Sequence, residues 1–131
     1  MKKYISWIEV EKFIDEVIDT YKDQGITGVY GLPRGGLIFA VMLSHRMNIP
    51  MLASPVKGCI IVDDICDSGE SLIHYFNNTS GEDHEKTCII VTMYYKPNAL
   101  EVVPDFWKEE KHDDWIVFPW EEKRPERGLL G

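Results

Sequence analysis

The sequence predicts an α/β fold of three layers, in which helices cover both faces of a mainly parallel central sheet. Short apolar segments rich in β-branched residues alternate along the chain with helical segments. The most apolar of them, residues 59–62, lacks polar alternation and is typical of a parallel strand buried on both faces. No repeat, low-complexity tract or interdomain linker interrupts this alternation, so we expect residues 1–131 to form one domain.

The first helix is predicted from a capping box and an apolar face. Ser6 and Glu9 have the spacing of a capping box. Apolar side chains then recur every three or four residues, at Trp7, Val10, Ile14, Val17 and Tyr21. We expect this helix to end near Lys22, because Gly25 stops the pattern.

A strand, a glycine-rich loop and a second helix are predicted next. Residues 26–30 are apolar and rich in strand-forming side chains. Residues 37–47 form a largely apolar helical segment that Asn48 closes. The loop 31–36 lies between them and contains three glycines. This order is one half-unit of an α/β fold.

The rest of the chain continues the alternation, with proline and glycine marking the turns. The predicted segments are a small strand at 50–53, a turn at 55–58, a strand at 59–62, an acidic loop, a helix at 71–76, a polar connection at 77–85, a strand at 87–95, an irregular segment at 97–104, a charged stretch at 107–114, a last strand at 115–118 and a mobile tail at 121–131.

Composition disfavours several classes of function. The chain has 22 acidic and 14 basic residues and a net charge of −8, which would repel nucleic acid. No apolar run approaches the roughly 20 residues of a membrane span, and no signal-type stretch follows Met1, so we expect a cytoplasmic protein with no membrane partner. Cys59, Cys66 and Cys88 are odd in number and lack paired spacing, which argues against a disulfide framework or a zinc site.

The most informative segment is the acidic loop. An apolar strand leads into two adjacent carboxylates, Asp63 and Asp64. Because like charges repel, such a pair is favoured where cations or sugar hydroxyls meet it. Residues 67–71 then combine the free N–H groups of a helix start with a glycine and two hydroxyls, a set that can surround a phosphate. The alternative is an acidic turn with a helix cap.

This order of residues resembles the signature with which the type I phosphoribosyltransferases bind 5-phosphoribosyl-1-pyrophosphate. The resemblance implies a phosphoribosyltransferase-type fold, with Asp63 and Asp64 beside the ribose hydroxyls and their Mg2+. Five residues would surround the 5-phosphate: Asp67, Ser68, Gly69, Glu70 and Ser71. The earlier loop is similar to the family's pyrophosphate loop, which assigns pyrophosphate to Pro33, Arg34, Gly35 and Gly36. The alternative for that loop is an ordinary βα turn.

Two later segments, 94–97 and 114–121, resemble the 6-oxopurine branch of the family, which uses hypoxanthine, guanine or xanthine. The resemblance implies that Lys96 donates to the purine O6, that Trp115 stacks on the ring and that Ile116 offers backbone groups to the base edge. A cationic donor at O6 favours an oxo base over the amino group of adenine. The alternatives are core packing for Trp115 and a solvated strand end for Lys96.

The same branch implies roles for two further acids. Asp67 stands where the branch carries an aspartate thought to exchange a proton with purine N7, which is general acid–base chemistry. Glu121 lies where the branch has a carboxylate for a second Mg2+. The expected partners are therefore small molecules, 5-phosphoribosyl-1-pyrophosphate and a purine base, and we expect a homodimer or a higher homo-oligomer.

One family element is missing. In the family, a flexible hairpin is inserted between the two strands that residues 54–58 connect in this chain. The hairpin acts as a lid that excludes water from an oxocarbenium-like transition state. The predicted function is Mg2+-dependent transfer of the phosphoribosyl group to a 6-oxopurine, with release of pyrophosphate. Without the lid, the chain could instead be a slow enzyme, an enzyme whose lid comes from a partner subunit, or a non-catalytic nucleotide sensor.

Overall fold

The computed structural model describes residues 1–77 and 88–121. In chain order the elements of these ranges are β1 (Lys2–Tyr4), α1 (Trp7–Tyr21), β2 (Val29–Gly31), α2 (Gly35–Met47), β3 (Cys59–Cys66), α3 (Ile73–Asn77), β4 (Cys88–Tyr95), β5 (Phe106–Glu110), β6 (Trp115–Val117) and a 3-10 turn (Pro119–Glu121). Within them, no helix is long and apolar enough to cross a membrane.

The central sheet has the strand order β2-β3-β4-β5, and every neighbouring pair in it is parallel. β1 and β6 form a separate parallel pair. Because all strands of the central sheet run the same way, their carboxyl ends meet at one edge, where ligands bind in open α/β sheets. The prediction of a mainly parallel sheet is confirmed.

Apolar side chains cover the central sheet on both faces. On one face, α1 and α2 pack against the two inner strands through a cluster that includes Val10, Phe13, Ile14, Phe39, Leu43, Ile60, Val62, Val91 and Met93. On the other face, α3 and the loop before β5 contribute to a second cluster that includes Leu32, Ile61, Leu72, Ile90 and Val102. The predicted three-layer α/β class is confirmed.

Both long helices form where the sequence predicts them. The capping box is complete, because Glu9 N donates to Ser6 Oγ at 3.2 Å and Ser6 N donates to Glu9 Oε2 at 2.8 Å. α1 ends with Lys22 as its C-cap. α2 ends at Asn48, whose φ of 53° places it in the left-handed region that asparagine tolerates. Local sequence signals therefore determine the ends of α1 and the end of α2.

Several predicted strand and helix boundaries were wrong. β2 begins at Val29 instead of residue 26, and α2 begins at Gly35 instead of residue 37. β3 continues through the acidic residues to Cys66, because β4 runs beside it and pairs Asp63 with Thr92 and Cys66 with Tyr95. The acidic pair is thus part of a strand and not of a loop. The third helix begins at Ile73 instead of residue 71, since the preceding residues form turns. The small strand predicted at 50–53 is reduced to a single bridge between Met51 and Val29.

The charged stretch predicted at 107–114 contains a strand, β5, that the sequence analysis missed. Its first residue, Phe106, packs against the core, and two of its charged side chains form ion pairs instead of alternating with apolar ones. Lys108 pairs with Glu16, and Lys3 pairs with Glu109. The pairing of β1 with β6 was likewise not predicted. Apart from Asn77 and Glu121, the polar connection 77–85 and the tail 121–131 lie outside the described residues.

Candidate active site

The acidic pair lies in the last half of β3, at the carboxyl edge of the central sheet. Asp63 Oδ1 accepts from Asp64 N at 2.8 Å, and Asp64 Oδ1 accepts from Ile65 N at 2.7 Å. Burial, together with the charge of Asp64, raises the pKa of Asp63 to about 8. A cation that met both carboxylates would offset their repulsion and favour the ionised form of Asp63.

The glycine-rich loop comes into contact with this pair. A Cβ atom at Gly35 would overlap the carboxylate of Asp64, and one at Gly36 would overlap the carbonyl oxygen of Val62. The close approach of the loop to β3 therefore requires glycine at both positions. Arg34 is exposed at the start of α2, and the peptide bond that joins it to Pro33 is cis. The predicted pyrophosphate loop and the predicted metal ligands are thus neighbours.

The loop that follows β3 curls around a cavity of about 120 Å³, which is lined by Ile65, Cys66, Asp67, Ser68, Gly69, Glu70, Ser71 and Leu72. Gly69 has a φ of 83°, in the region that favours glycine, and a Cβ there would lie 2.9 Å from the side chain of Val102. Ser68 Oγ accepts a hydrogen bond of 3.3 Å from Glu70 N. All five predicted 5-phosphate residues line this one cavity.

A second cavity of about 250 Å³ adjoins the acidic pair, and its lining residues are Asp64, Ile65, Asp67, Lys111, Trp115, Ile116, Phe118 and Glu121. It brings together predicted residues from the end of β3, from β6 and from the 3-10 turn. Trp115 is 69% exposed, so its ring is available to a planar ligand and is not packed in the core. We refer to this space as the base cavity.

The backbone of Ile116 faces away from β1. Trp115 N donates to Met1 O at 2.8 Å, and Val117 O accepts from Ile5 N at 2.9 Å. Because the N–H and C=O groups of successive residues in a strand point to opposite sides, those of Ile116 point to the open side of β6. The geometry leaves them available to the edge of a bound base.

The two lysines near the base cavity, Lys96 and Lys111, differ in whether they line it. Lys96 is not among the residues that line it. Lys96 N donates to Cys66 O at 2.8 Å, and within residues 1–77 and 88–121 its ammonium forms no hydrogen bond or ion pair. Lys111 lines the cavity instead, with its Nζ 3.5 Å from Asp67 Oδ2 and its side chain only 11% exposed. The sequence pattern does not single out Lys111, because it is one charge in an acidic stretch.

Glu121 lines the base cavity, but its carboxylate is already engaged. Its Oε1 accepts from Phe118 N at 3.0 Å and so caps the 3-10 turn that contains it. Among the described residues, no cluster of three or more histidine, cysteine or acidic side chains could hold a metal ion. Asp63 and Asp64 would therefore need oxygen atoms of a ligand or of water to complete a coordination shell.

Similar proteins were found among both curated sequences and solved structures, whereas no protein-family model matches the chain. The xanthine-guanine phosphoribosyltransferase of Idiomarina loihiensis is 24% identical, covering 90% of this chain and 86% of the relative. A purine phosphoribosyltransferase of Pyrococcus horikoshii is 28% identical and superposes with a TM-score of 0.76, covering 94% of this chain and 96% of that one.

The chain is related to the type I phosphoribosyltransferases. The fold agrees as well, since the xanthine-guanine-hypoxanthine phosphoribosyltransferase of Helicobacter pylori superposes with a TM-score of 0.75 at 18% identity, covering 99% of this chain and 98% of that one. The predicted resemblance to the 6-oxopurine branch of the phosphoribosyltransferases and the predicted enzyme class are confirmed by the names of these relatives.

Proposed function

We propose that the protein transfers the phosphoribosyl group of 5-phosphoribosyl-1-pyrophosphate to a 6-oxopurine. The bond between ribose C1 and pyrophosphate breaks, its electron pair leaves with pyrophosphate, a C1–N9 bond forms and the purine loses a proton. The observation that carries the proposal is the convergence of four features at one edge of the sheet: the glycine-rich loop, the acidic pair, the base cavity and the loop of residues 67–71, which we call the phosphate loop.

The sugar donor would lie across three segments that the fold brings together. The loop around Gly69 would hold the 5-phosphate, because its residues surround a small polar cavity. Pro33, Arg34, Gly35 and Gly36 would hold the pyrophosphate, since this loop contacts Asp64 and carries an exposed guanidinium suited to phosphate oxygens. The ribose would then bridge the two over the acidic pair.

The acidic pair fits Mg2+, which prefers oxygen ligands and shares them with substrate phosphates and water. Asp63 and Asp64 would hold the ion, and the raised pKa of Asp63 supports a cation there because the pair is buried and self-repelling. Mg2+ would neutralise charge on the departing pyrophosphate. For Glu121 as the ligand of a second ion, the support is its position on the same cavity wall as Asp64.

The purine would occupy the base cavity. Trp115 would cover the ring, Ile116 would meet its edge through the backbone and Asp67 would accept its proton. For Lys96 as the donor to O6, support comes from its backbone bond to Cys66 O, which keeps it beside the start of the phosphate loop. The preference for an oxo base is part of this proposal.

A second candidate function is nucleotide sensing without turnover. It is favoured by the short connection from Met51 to β3, which consists of turns and leaves no hairpin to close over the site. A homodimer or higher homo-oligomer could supply a lid from a neighbouring subunit, and sedimentation with and without nucleotide would measure the oligomeric state.

Pyrophosphate release with hypoxanthine, guanine, xanthine and adenine tests the proposal. We expect turnover with at least one oxopurine, poor use of adenine, and loss of that preference in Lys96→Met. Equal use of adenine by the wild type would contradict the 6-oxopurine assignment. Tight binding of a purine mononucleotide without pyrophosphate release from any base would favour the sensor.

A further inference from the structure

Lys111 is a nearly buried lysine on the wall of the base cavity. It follows directly on β5, where Lys111 N donates to Tyr95 O at 2.6 Å and so fixes its backbone at the carboxyl edge of the sheet. Its side chain is 11% exposed, and its Nζ lies 3.5 Å from Asp67 Oδ2 and 3.4 Å from His112 O. A charged side chain with so little exposure to water is favoured where an oppositely charged partner lies within reach.

The three carboxylates on the wall of the base cavity, those of Asp64, Asp67 and Glu121, differ in the contacts that orient them. Asp64 accepts from Ile65 N, and Glu121 accepts from Phe118 N, so each carboxylate is held by its own stretch of backbone. Asp67 has no such bond. In the described part of the chain, the contact with Lys111 is the one ion pair or hydrogen bond that its carboxylate forms. The direction of the Asp67 side chain therefore depends on Lys111.

The ion pair between Lys108 and Glu16 lies outside the base cavity. Lys108 lies in β5, and its Nζ is 2.6 Å from Glu16 Oε1, on a surface that does not line the base cavity. Exposed pairs of this kind contribute little to stability. Lys108 is thus a matched control for Lys111, because it offers the same charge three residues earlier, within β5.

We propose that Lys111 is a positioning residue, which holds the carboxylate of Asp67 on the wall of the base cavity where it meets the proton that the purine loses. The inference rests on the proposed function. It assigns a role to a residue outside the segments that resemble the family. Because Lys111 acts through Asp67 and not on the base oxygen, its loss affects hypoxanthine and guanine alike, whereas the loss of Lys96 changes the preference between bases.

The test is a double-mutant cycle on steady-state kinetics with hypoxanthine and guanine. Lys111→Met should lower kcat roughly tenfold to a hundredfold, which is the loss expected when a catalytic group is misplaced. The KM for the sugar donor should stay within about twofold of the wild-type value. Lys111→Arg should restore most of kcat, and Lys108→Met should leave it unchanged. Lys111→Met should cause no further loss in an Asp67→Asn background, because the two residues act as one unit.

Additive losses in the double variant, or a shifted preference among bases in Lys111→Met, would overturn the proposal. Lys111→Gln provides a second uncharged variant if Lys111→Met fails to fold, and wild-type kcat in Lys111→Gln would also overturn it. If the wild type releases pyrophosphate and Lys111→Met has the same kcat as Lys108→Met, the positioning role is excluded but the proposed function is not. A wild type without turnover would exclude the proposed function as well.

Discussion

Gly69 determines the shape of the phosphate loop through two independent constraints. Its φ of 83° disfavours any L side chain, and a Cβ would also lie 2.9 Å from Val102 and 3.1 Å from Asn98 Oδ1. Asn98 is itself held, because its Nδ2 donates to Val102 O at 2.9 Å. Val102 and Asn98 therefore cannot yield to an added side chain without losing this hydrogen bond, so the loop itself must shift.

Gly69→Ala is expected to weaken the binding of a purine mononucleotide by tenfold or more, about 1.4 kcal/mol, because the loop must shift. Gly25→Ala is the control: Gly25 has a φ of 64° but nothing within 4 Å of a Cβ, so it bears only the backbone cost of about 1–2 kcal/mol. Calorimetric titration measures the affinity and urea unfolding measures the stability. Unchanged affinity in Gly69→Ala would remove the 5-phosphate from this loop.

Asp63 makes the stability of the metal-free protein depend on pH. Its folded-state pKa of about 8 lies above the ordinary value of 3.8, mainly because of burial and then because of Asp64. The folded state therefore binds this proton more tightly than the unfolded state. The resulting stabilisation is complete below about pH 4 and is lost as the pH rises through 8.

Asp63→Asn cannot lose a proton, so its Tm should exceed that of the wild type by an amount that grows from pH 5 to pH 8 and then levels off. Thermal unfolding in a metal-chelating buffer measures this difference. Asp19→Asn, on the exposed face of α1, is the control for the removal of one carboxyl group. A constant difference at all pH values would mean that Asp63 titrates as an ordinary carboxyl group.

At the scale of elements, the start of α2 combines a structural and a binding requirement. Its first residue, Gly35, contacts the carboxylate of Asp64, so the first turn of the helix and the end of β3 cannot be altered separately. Helix propensity alone would favour alanine over glycine by about 1 kcal/mol. Glycine at this position therefore has a local cost in helix stability, and it leaves the space that the Asp64 carboxylate occupies.

Gly35→Ala is expected to reduce Mg2+-dependent binding of the sugar donor at least tenfold, because the new methyl group displaces Asp64. Ser6→Ala serves as the control, since it removes the capping box of α1 and should lower the free energy of unfolding by about 1 kcal/mol with no change in binding. Titration calorimetry with and without Mg2+ distinguishes the two effects. Equal affinities in Gly35→Ala and the wild type would show that Asp64 does not contribute to the site.

At the scale of the whole molecule, no hairpin among residues 1–77 and 88–121 covers the edge of the central sheet that holds the candidate site. The connection between the Met51 bridge and β3 is short and carries an exposed Val56, so this part of the chain does not cover the base cavity. Closure of an active site excludes water and prevents hydrolysis of reactive species. An uncovered site should therefore let water compete with the purine.

We expect measurable hydrolysis of 5-phosphoribosyl-1-pyrophosphate in the absence of any base, at a rate that is a substantial fraction of the transfer rate. Release of ribose 5-phosphate measures hydrolysis, and formation of the mononucleotide measures transfer. The variant Asp63→Asn, Asp64→Asn controls for the uncatalysed reaction. Hydrolysis at the rate of this variant would show that the site is closed by another segment or subunit.

Much of the site could be predicted, because its loops follow strands and carry their chemistry in contiguous residues. The order of an apolar strand, Asp63, Asp64 and the loop 67–71 predicts a small polar cavity after β3 without knowledge of strand pairing. Lys111 could not be predicted in this way. Its burial depends on β5 joining the edge of the sheet, a contact made between segments that are distant in sequence.

The sequence by itself determined the features that depend on local interactions: the capping box of α1, the end of α2 at Asn48, the buried character of β3 and the glycines of both loops. The tertiary structure alone decided the length of β3 and the existence of β5, together with the pairing of β1 with β6. Helix caps and turns are formed by neighbouring residues, whereas a strand is stabilised by a partner elsewhere in the chain. Whether an acidic or charged segment becomes a strand therefore depends on which strand runs beside it.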